Sequence, residues 1–241
     1  MQAYPGLRPD VVRVVASLRL LPGLAEPIDY EEFRYASVPL CILDAIFSIN
    51  ARWEAVRAAV RRYADHYGLP VTHPPGELPS REEQATVDDL IQHITSLGPD
   101  RFASEVMRNR ARTSTRGGIL KAEAALEFAR VLSDRGIQSL QDMSLHLVDT
   151  ELEFELRRVH GQASGISVRY FFMLAGAQHL IKPDRMVIRF LSQVLGRAVD
   201  ADQAQALVSG AVETLRQDYP AITAQAIDAA IWTHERQQRR T

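Results

Sequence analysis

Cysteine is almost absent from this chain. Cys41 is the only one in 241 residues, which excludes an intramolecular disulfide, a multi-cysteine zinc site and a four-cysteine iron–sulfur cluster. Lysine is nearly as scarce, occurring only at Lys121 and Lys182, so the other positive charges are arginine. Arginine suits bidentate contact with phosphate, but a GC-rich genome produces the same bias, which therefore carries little. A strong charge of either sign is also missing. The formal net charge is −2, which weighs against a nucleic-acid partner unless positive charge is concentrated locally. No run reaches the roughly 20 apolar residues that span a bilayer. The first ten residues lack the basic stretch and apolar core of a secretory signal. The expectation is a cytoplasmic protein with no membrane role.

What is present is ordinary for a globular protein: 46% hydrophobic and 24% charged residues, enough for one large domain or two small lobes. Helical periodicity dominates, and strand signals are weak. Apolar spacing predicts helices over 10–20, 38–49, 51–67, 100–108 and 118–135, and then over 150–159, 165–175, 183–195, 201–217 and 222–237. Residues 70–79 collect proline and glycine and read as a loop. Ser80-Arg-Glu-Glu83 reads as a capping box opening a helix to about Leu97. Residues 38–49 are apolar nearly all round and predict a buried central helix. Arg108, Arg110, Arg112 and Arg116 form a local basic run, with no acid before Lys121. A solvated loop explains that run as well as a phosphate contact does.

Residues 155–191 carry most of the functional argument. A short helix leads to His160-Gly-Gln-Ala-Ser-Gly165, an apolar helix, a connector and Lys182-Pro-Asp184 before the next helix. Glycines allow close backbone approach, and a helix start presents unpaired amides that suit an anion. An αα-hairpin that binds nothing fits the same pattern.

This segment resembles the helix-hairpin-helix and catalytic aspartate of the DNA glycosylase superfamily that includes endonuclease III and the adenine-specific mismatch glycosylase. Val159, Gly161, the helix over 166–174 and Lys182-Pro183-Asp184 fill the superfamily's places at nearly its spacing. The segment 39–50 resembles its early buried helix, and the helix from Gly118 the one before the hairpin. The resemblance implies an all-α fold of two lobes with a cleft between them. Residues 36–185 would form the central lobe, with the hairpin at about 150–175. Residues 1–35 and 186–241 would form the second. The implied activity is monofunctional hydrolysis of the N-glycosidic bond of a damaged, mismatched or modified base. The implied partner is double-stranded DNA with one base extruded. The loop residues Gly161, Gln162, Ala163, Ser164 and Gly165 would meet the DNA backbone, with Lys182 and Arg185 beside them and Asn50 on the DNA-inserting turn. A backbone-bound potassium or sodium ion at the hairpin is a further implication. There are departures. His160 replaces the hairpin proline, and Ala163 or Ser164 stands at a second glycine, where a left-handed alanine would be strained. The lysine nucleophile of bifunctional members would fall near Ser164 or Gly165, which points to water as nucleophile. The cysteine cluster of endonuclease III is absent.

Two acids are candidate catalytic residues. Asp184 matches the superfamily's aspartate. A carboxylate there can stabilise positive charge on the sugar and orient water, although an aspartate after proline is also a common helix cap. Asp44 lies among Leu40, Cys41 and Phe47 on an apolar face. Burial would raise its pKa and suit it to protonate a leaving base. Alternatively it pairs with Arg52 or Arg57 or anchors one helix to another. The expectation is that Asp44, protonated, and Asp184, ionised, face one cleft. Trp53 is a possible base-stacking residue, whereas Tyr170, Phe171 and Phe172 read as core. Two other classes fit the same chain: a helix-hairpin-helix protein that binds DNA without cutting it, and a helical interaction protein with no nucleic-acid role.

Overall fold

Residues 38–47 are apolar on every side, so no face of a helix built from them belongs in water. The computed structural model, which describes residues 8–22, 24 and 34–238, buries all ten. The chain is all-α. Its helices are α1 (Arg8–Leu18), α2 (Val38–Phe47), α3 (Trp53–Tyr67), α4 (Val87–Leu97) and the short α5 (Pro99–Arg101). They continue with α6 (Lys121–Asp134), α7 (Leu140–Ser144), α8 (Thr150–Arg157) and α9 (Ile166–Leu174). Last come α10 (Arg185–Leu195), α11 (Ala201–Leu215) and α12 (Ala224–Gln238). Among the described residues the only β pairing is two isolated bridges, Tyr35–Thr72 and Arg112–Leu120. No helix among them is long and apolar enough to cross a membrane.

The chain divides into two units, residues 30–177 and residues 1–29 with 178–241. The break after Ala177 differs from the boundary expected after 185. Hydrogen bonding explains the difference. Gln225 N–H donates to the Gln178 carbonyl at 3.2 Å, and the Ile181 and Lys182 amides donate to the side chains of Gln205 and Asp228. These bonds tie the connector to α11 and α12. Residues 1–7, 23, 25–33 and 239–241 lie outside the described residues, and with them much of the expected N-terminal share of that unit.

In the 30–177 unit, α2 packs against α3, α6 and α9. Leu40, Ile42, Leu43, Ile46 and Phe47 are fully enclosed, each stabilising the fold by at most roughly 1.5–3 kcal/mol. Tyr170, Phe171 and Phe172 of α9 are core, as expected. Ser80 and Glu83 do form a capping box, but it opens only a short 3-10 turn, Arg81–Glu83. Gln84 then leaves helical geometry. Its buried amide donates to the carbonyls of Pro79 and Ser80 and accepts the Leu140 N–H. A second box, Thr86 with Asp89, starts α4. The helix expected over 100–108 is short α5 followed by a π turn, Phe102–Val106.

In the other unit, α1 packs on α10 and α11, and α12 packs on both of those. Val187, Phe190, Leu191 and Leu195 make the buried stripe of α10. Arg13 of α1 caps that helix, donating to the carbonyls of Val194 and Leu195 at 2.9 and 3.2 Å.

Candidate functional site

The hairpin turn between α8 and α9 rests on two glycines in left-handed geometry, Gly161 at φ +83° and Gly165 at φ +73°. Only glycine adopts these angles without strain. Ala163 is not among the residues of positive φ, so the strain expected of an alanine in this turn is not there. The turn closes internally: Gln162 N–H donates to the Val159 carbonyl at 3.0 Å and Gly165 N–H to the Gln162 carbonyl at 2.8 Å. His160, Gly161, Ala163 and Ser164 are exposed. Gln162 is fully buried, and its side-chain carbonyl accepts the Ser167 hydroxyl. Expected at the DNA backbone, Gln162 is instead an internal strut whose amide and side chain are both spent on the turn. The first helical amide with an intrahelical acceptor is that of Arg169, which donates to Gly165. Of the residues that open α9, Gly165, Ser167 and Val168 are buried, and the Ile166 N–H donates to the Ser164 hydroxyl at 3.5 Å.

Charged side chains flank this turn. An added Cβ on Gly161 would lie 2.5 Å from Thr113 Cβ, so the turn sits directly against the arginine-bearing loop. In that loop Arg112 donates to the Gly118 carbonyl at 2.8 Å and Arg110 pairs with Asp100, while Arg112 and Arg116 are exposed. On the other side Glu127 of α6 pairs with His160 at 2.9 Å. That hydrogen bond, and then the carboxylate's charge, raise the His160 pKa. Arg157 donates to the Ala163 carbonyl at 3.2 Å and lies over Gly165. A guanidinium on that carbonyl repels any cation, so the turn does not fit the monovalent ion implied by the resemblance. Among the described residues no group of three or more His, Cys, Asp or Glu is placed to hold a metal ion.

The turn after α2 is held by a residue whose role was not read from the sequence. Lys121 is 2% exposed, and its Nζ donates to the carbonyls of Phe47 and Ile49 at 2.9 and 2.6 Å. It satisfies carbonyls that a helix end leaves open. Burial pushes its pKa down to about 8. Just beyond, Asn50 is exposed in left-handed geometry at φ +49°. Trp53 carries the Arg57 guanidinium 4.9 Å above its ring.

Asp44 is 1% exposed and accepts the Tyr35 hydroxyl at 2.5 Å. Burial first, and then the negative charge of Asp44, hold the Tyr35 pKa well above its ordinary value. The same two causes push the Cys41 thiol up, so it is not a reactive thiolate. An acid this enclosed does not reach a base. Asp44 thus anchors α2 to the Tyr35 segment, the alternative to a proton donor that the sequence left open. Asp44 and Asp184 belong to different units.

Asp184 is the N-cap of α10. Its Oδ1 accepts the amides of Met186 and Val187 at 2.7 and 3.3 Å, and neither bond uses Oδ2. Its own N–H donates to the Lys182 carbonyl at 2.7 Å, closing a three-residue turn around Pro183, whose fixed φ suits that geometry. Lys182 is half-buried and Arg185 exposed. The Lys182 amide donates to Asp228 Oδ1 at 2.9 Å. Burial and the neighbouring charge of Asp184 push the Asp228 pKa up to about 8. The unit thus holds a second acid, neutral near pH 7, beside the first.

The family model described as Domain of unknown function (DUF8548) matches residues 13–236. The chain belongs to that family. No curated protein and no solved structure matches it. The DUF8548 match covers Lys121, the hairpin, Asp184 and Asp228. Two of these, Lys121 and Asp228, were missed in the sequence, although Asp228 left a signal. It interrupts the apolar stripe of Ala224, Ile227 and Ile231 at helical spacing, and an acid on such a stripe requires a partner.

Proposed function

We propose that this DUF8548 chain is a DNA-binding, glycosylase-like protein of the cytoplasm. It hydrolyses the N-glycosidic bond of a damaged, mismatched or modified base held outside the duplex. The observation that carries the reading is Asp184. Two backbone amides grip Oδ1 at the start of α10, which orients the carboxyl and leaves Oδ2 for a sugar cation or its attacking water. The hairpin supports the DNA partner: His160, Gly161, Ala163 and Ser164 are exposed on its turn, with exposed Arg112 and Arg116 on the adjacent loop and Asn50 on the turn after α2. Lys182 and Arg185 flank the acid in sequence. Water is the nucleophile, because Ser164 and Gly165 stand where a lysine would be required.

The test is incubation of the full chain with labelled duplexes carrying mismatched, deaminated, oxidised or alkylated bases, followed by alkali to cleave abasic sites. Base release from one class of duplex supports the reading. The absence of both release and salt-dependent duplex binding across the panel contradicts it. The capping bonds of Asp184 also favour a second reading, a protein that binds the duplex without cutting it. Binding that weakens with salt and with Arg185→Ala, without any release, would select it.

A further inference from the structure

Left-handed backbone in this chain falls mostly on glycine. Among the described residues nine glycines have positive φ, and only two other residues do: Asn50 at +49° and Arg108 at +47°. Glycine would take either place without the steric penalty of a Cβ, as Gly68 and Gly196 do at the ends of α3 and α10. Both exceptions are exposed, and each follows a carbonyl gripped by a cation from a distant element. Lys121 donates to the Ile49 carbonyl at 2.6 Å. Arg62 of α3 donates to the Met107 carbonyl through Nε at 2.9 Å and Nη2 at 2.6 Å. The two turns are also joined, because the Lys121 N–H donates at 3.0 Å to the carbonyl of Ala111, in the loop that Arg108 opens.

We propose that Arg108 is a further duplex-contacting residue, held for contact with a backbone phosphate by Arg62, as Asn50 is held by Lys121. The inference rests on the DNA-binding reading and adds a contact to it. A strained backbone at an exposed residue persists where its surroundings fix it. Here the fixing groups are half-buried Arg62 and buried Lys121. The side chain at such a place must supply what glycine lacks. Arg108 supplies a guanidinium, whose planar fork suits phosphate. Among the described residues it has no hydrogen-bond or ion-pair partner. Its neighbours differ: Arg110 pairs with Asp100, and Arg112 donates to the Gly118 carbonyl. Arg108 therefore gives up no partner on meeting a phosphate. The chain just after it is pinned as well. Asn109 N–H donates to the Ala103 carbonyl at 2.8 Å, and the Asn109 side chain accepts the Ala111 N–H at 3.0 Å.

Binding of a labelled duplex by the full chain, titrated over a salt series, tests this. Arg108→Gly removes the guanidinium and the backbone penalty together, so the melting temperature should hold or rise. Duplex affinity should nevertheless fall about fivefold or more, and the salt dependence should flatten by about one phosphate contact. A role confined to the turn predicts wild-type affinity instead. Arg62→Met frees the Met107 carbonyl and should also weaken binding. The double variant should bind as Arg108→Gly does, because the grip acts through Arg108. Arg62→Lys keeps a donor and should restore part of the loss, and it replaces Arg62→Met in the comparison if that variant does not fold. Wild-type affinity and salt slope in folded Arg108→Gly overturn the proposal and leave the DNA reading standing. Losses that add in the double variant overturn the part given to Arg62. A wild type that binds no duplex even at low salt overturns the DNA reading and the proposal together.

Discussion

The Lys121 ammonium donates to the carbonyl oxygens of both Phe47 and Ile49, on either side of Ser48 at the start of the turn that leads to Asn50. One buried side chain thereby closes the end of the central helix and shapes the segment that follows. Lys121→Met keeps most of the volume and leaves the two carbonyls without this donor. The expected loss is about 1–3 kcal/mol in urea denaturation, with an unchanged denaturant slope.

The same lysine has a pH signature. Its pKa is about 8 in the folded chain and about 10.4 in an unfolded one. Between those values the unfolded chain holds a proton that the folded chain has released, so stability rises with pH through that window. Urea titrations from about pH 8 to 10 should show this rise in the wild type relative to Lys121→Met.

Gly161 is constrained twice, by its φ of +83° and by Thr113 at 2.5 Å from an added Cβ. Gly68 shares the left-handed geometry, at φ +65°, with open space around it. Gly68→Ala should cost only the backbone penalty, roughly 1–2 kcal/mol. Gly161→Ala should cost more, and a nearby Thr113→Gly should recover part of the difference. Equal melting shifts for the two alanine variants would contradict the packing described for the hairpin.

Glu235 is 4% exposed, and Arg189 engages it through two nitrogens. Arg189→Ala leaves the carboxylate buried without that partner. Because the arginine side chain is 32% exposed, the loss should fall near the lower end of the roughly 3–5 kcal/mol typical of broken buried pairs. Replacing both residues by apolar ones, Arg189→Met with Glu235→Leu, should be milder than the single change in thermal denaturation.

Much of the fold was legible in the sequence because it rests on local rules. The apolar run 38–47, the stripe of Val187, Phe190, Leu191 and Leu195, and the glycine after α3 each encode a helix and its face or end. The errors came from competition between equally good local signals. Ser80 and Thr86 both begin capping boxes, and the choice between them is made by Gln84, whose amide reaches Gln141 and Leu140 more than 50 residues away. The site was legible where one residue acts through its immediate neighbours, as Asp184 does in capping α10. It was not legible where the partner comes from a distant element. Asp44 read as a candidate acid because helical periodicity does not announce the Tyr35 hydroxyl, nine residues away but outside α2. Asp228 escaped notice because its partner is a backbone amide 46 residues away. One left-handed position of the hairpin was also misplaced, since counting glycines against a family pattern put it at Ala163 or Ser164 where the chain uses Gly165.

The account depends most on the charge at Asp184, and the substitution that isolates it is Asp184→Asn. Asparagine caps a helix about as well as aspartate, so stability should change by less than about 0.5 kcal/mol while the carboxylate disappears. The measurement is single-turnover base release by the wild type and by Asp184→Asn on the duplex that the wild type processes, with duplex affinity measured in parallel. Release should fall by about a hundredfold or more while affinity stays within a few-fold. Release at the wild-type rate from a folded, DNA-binding Asp184→Asn protein would contradict the assignment.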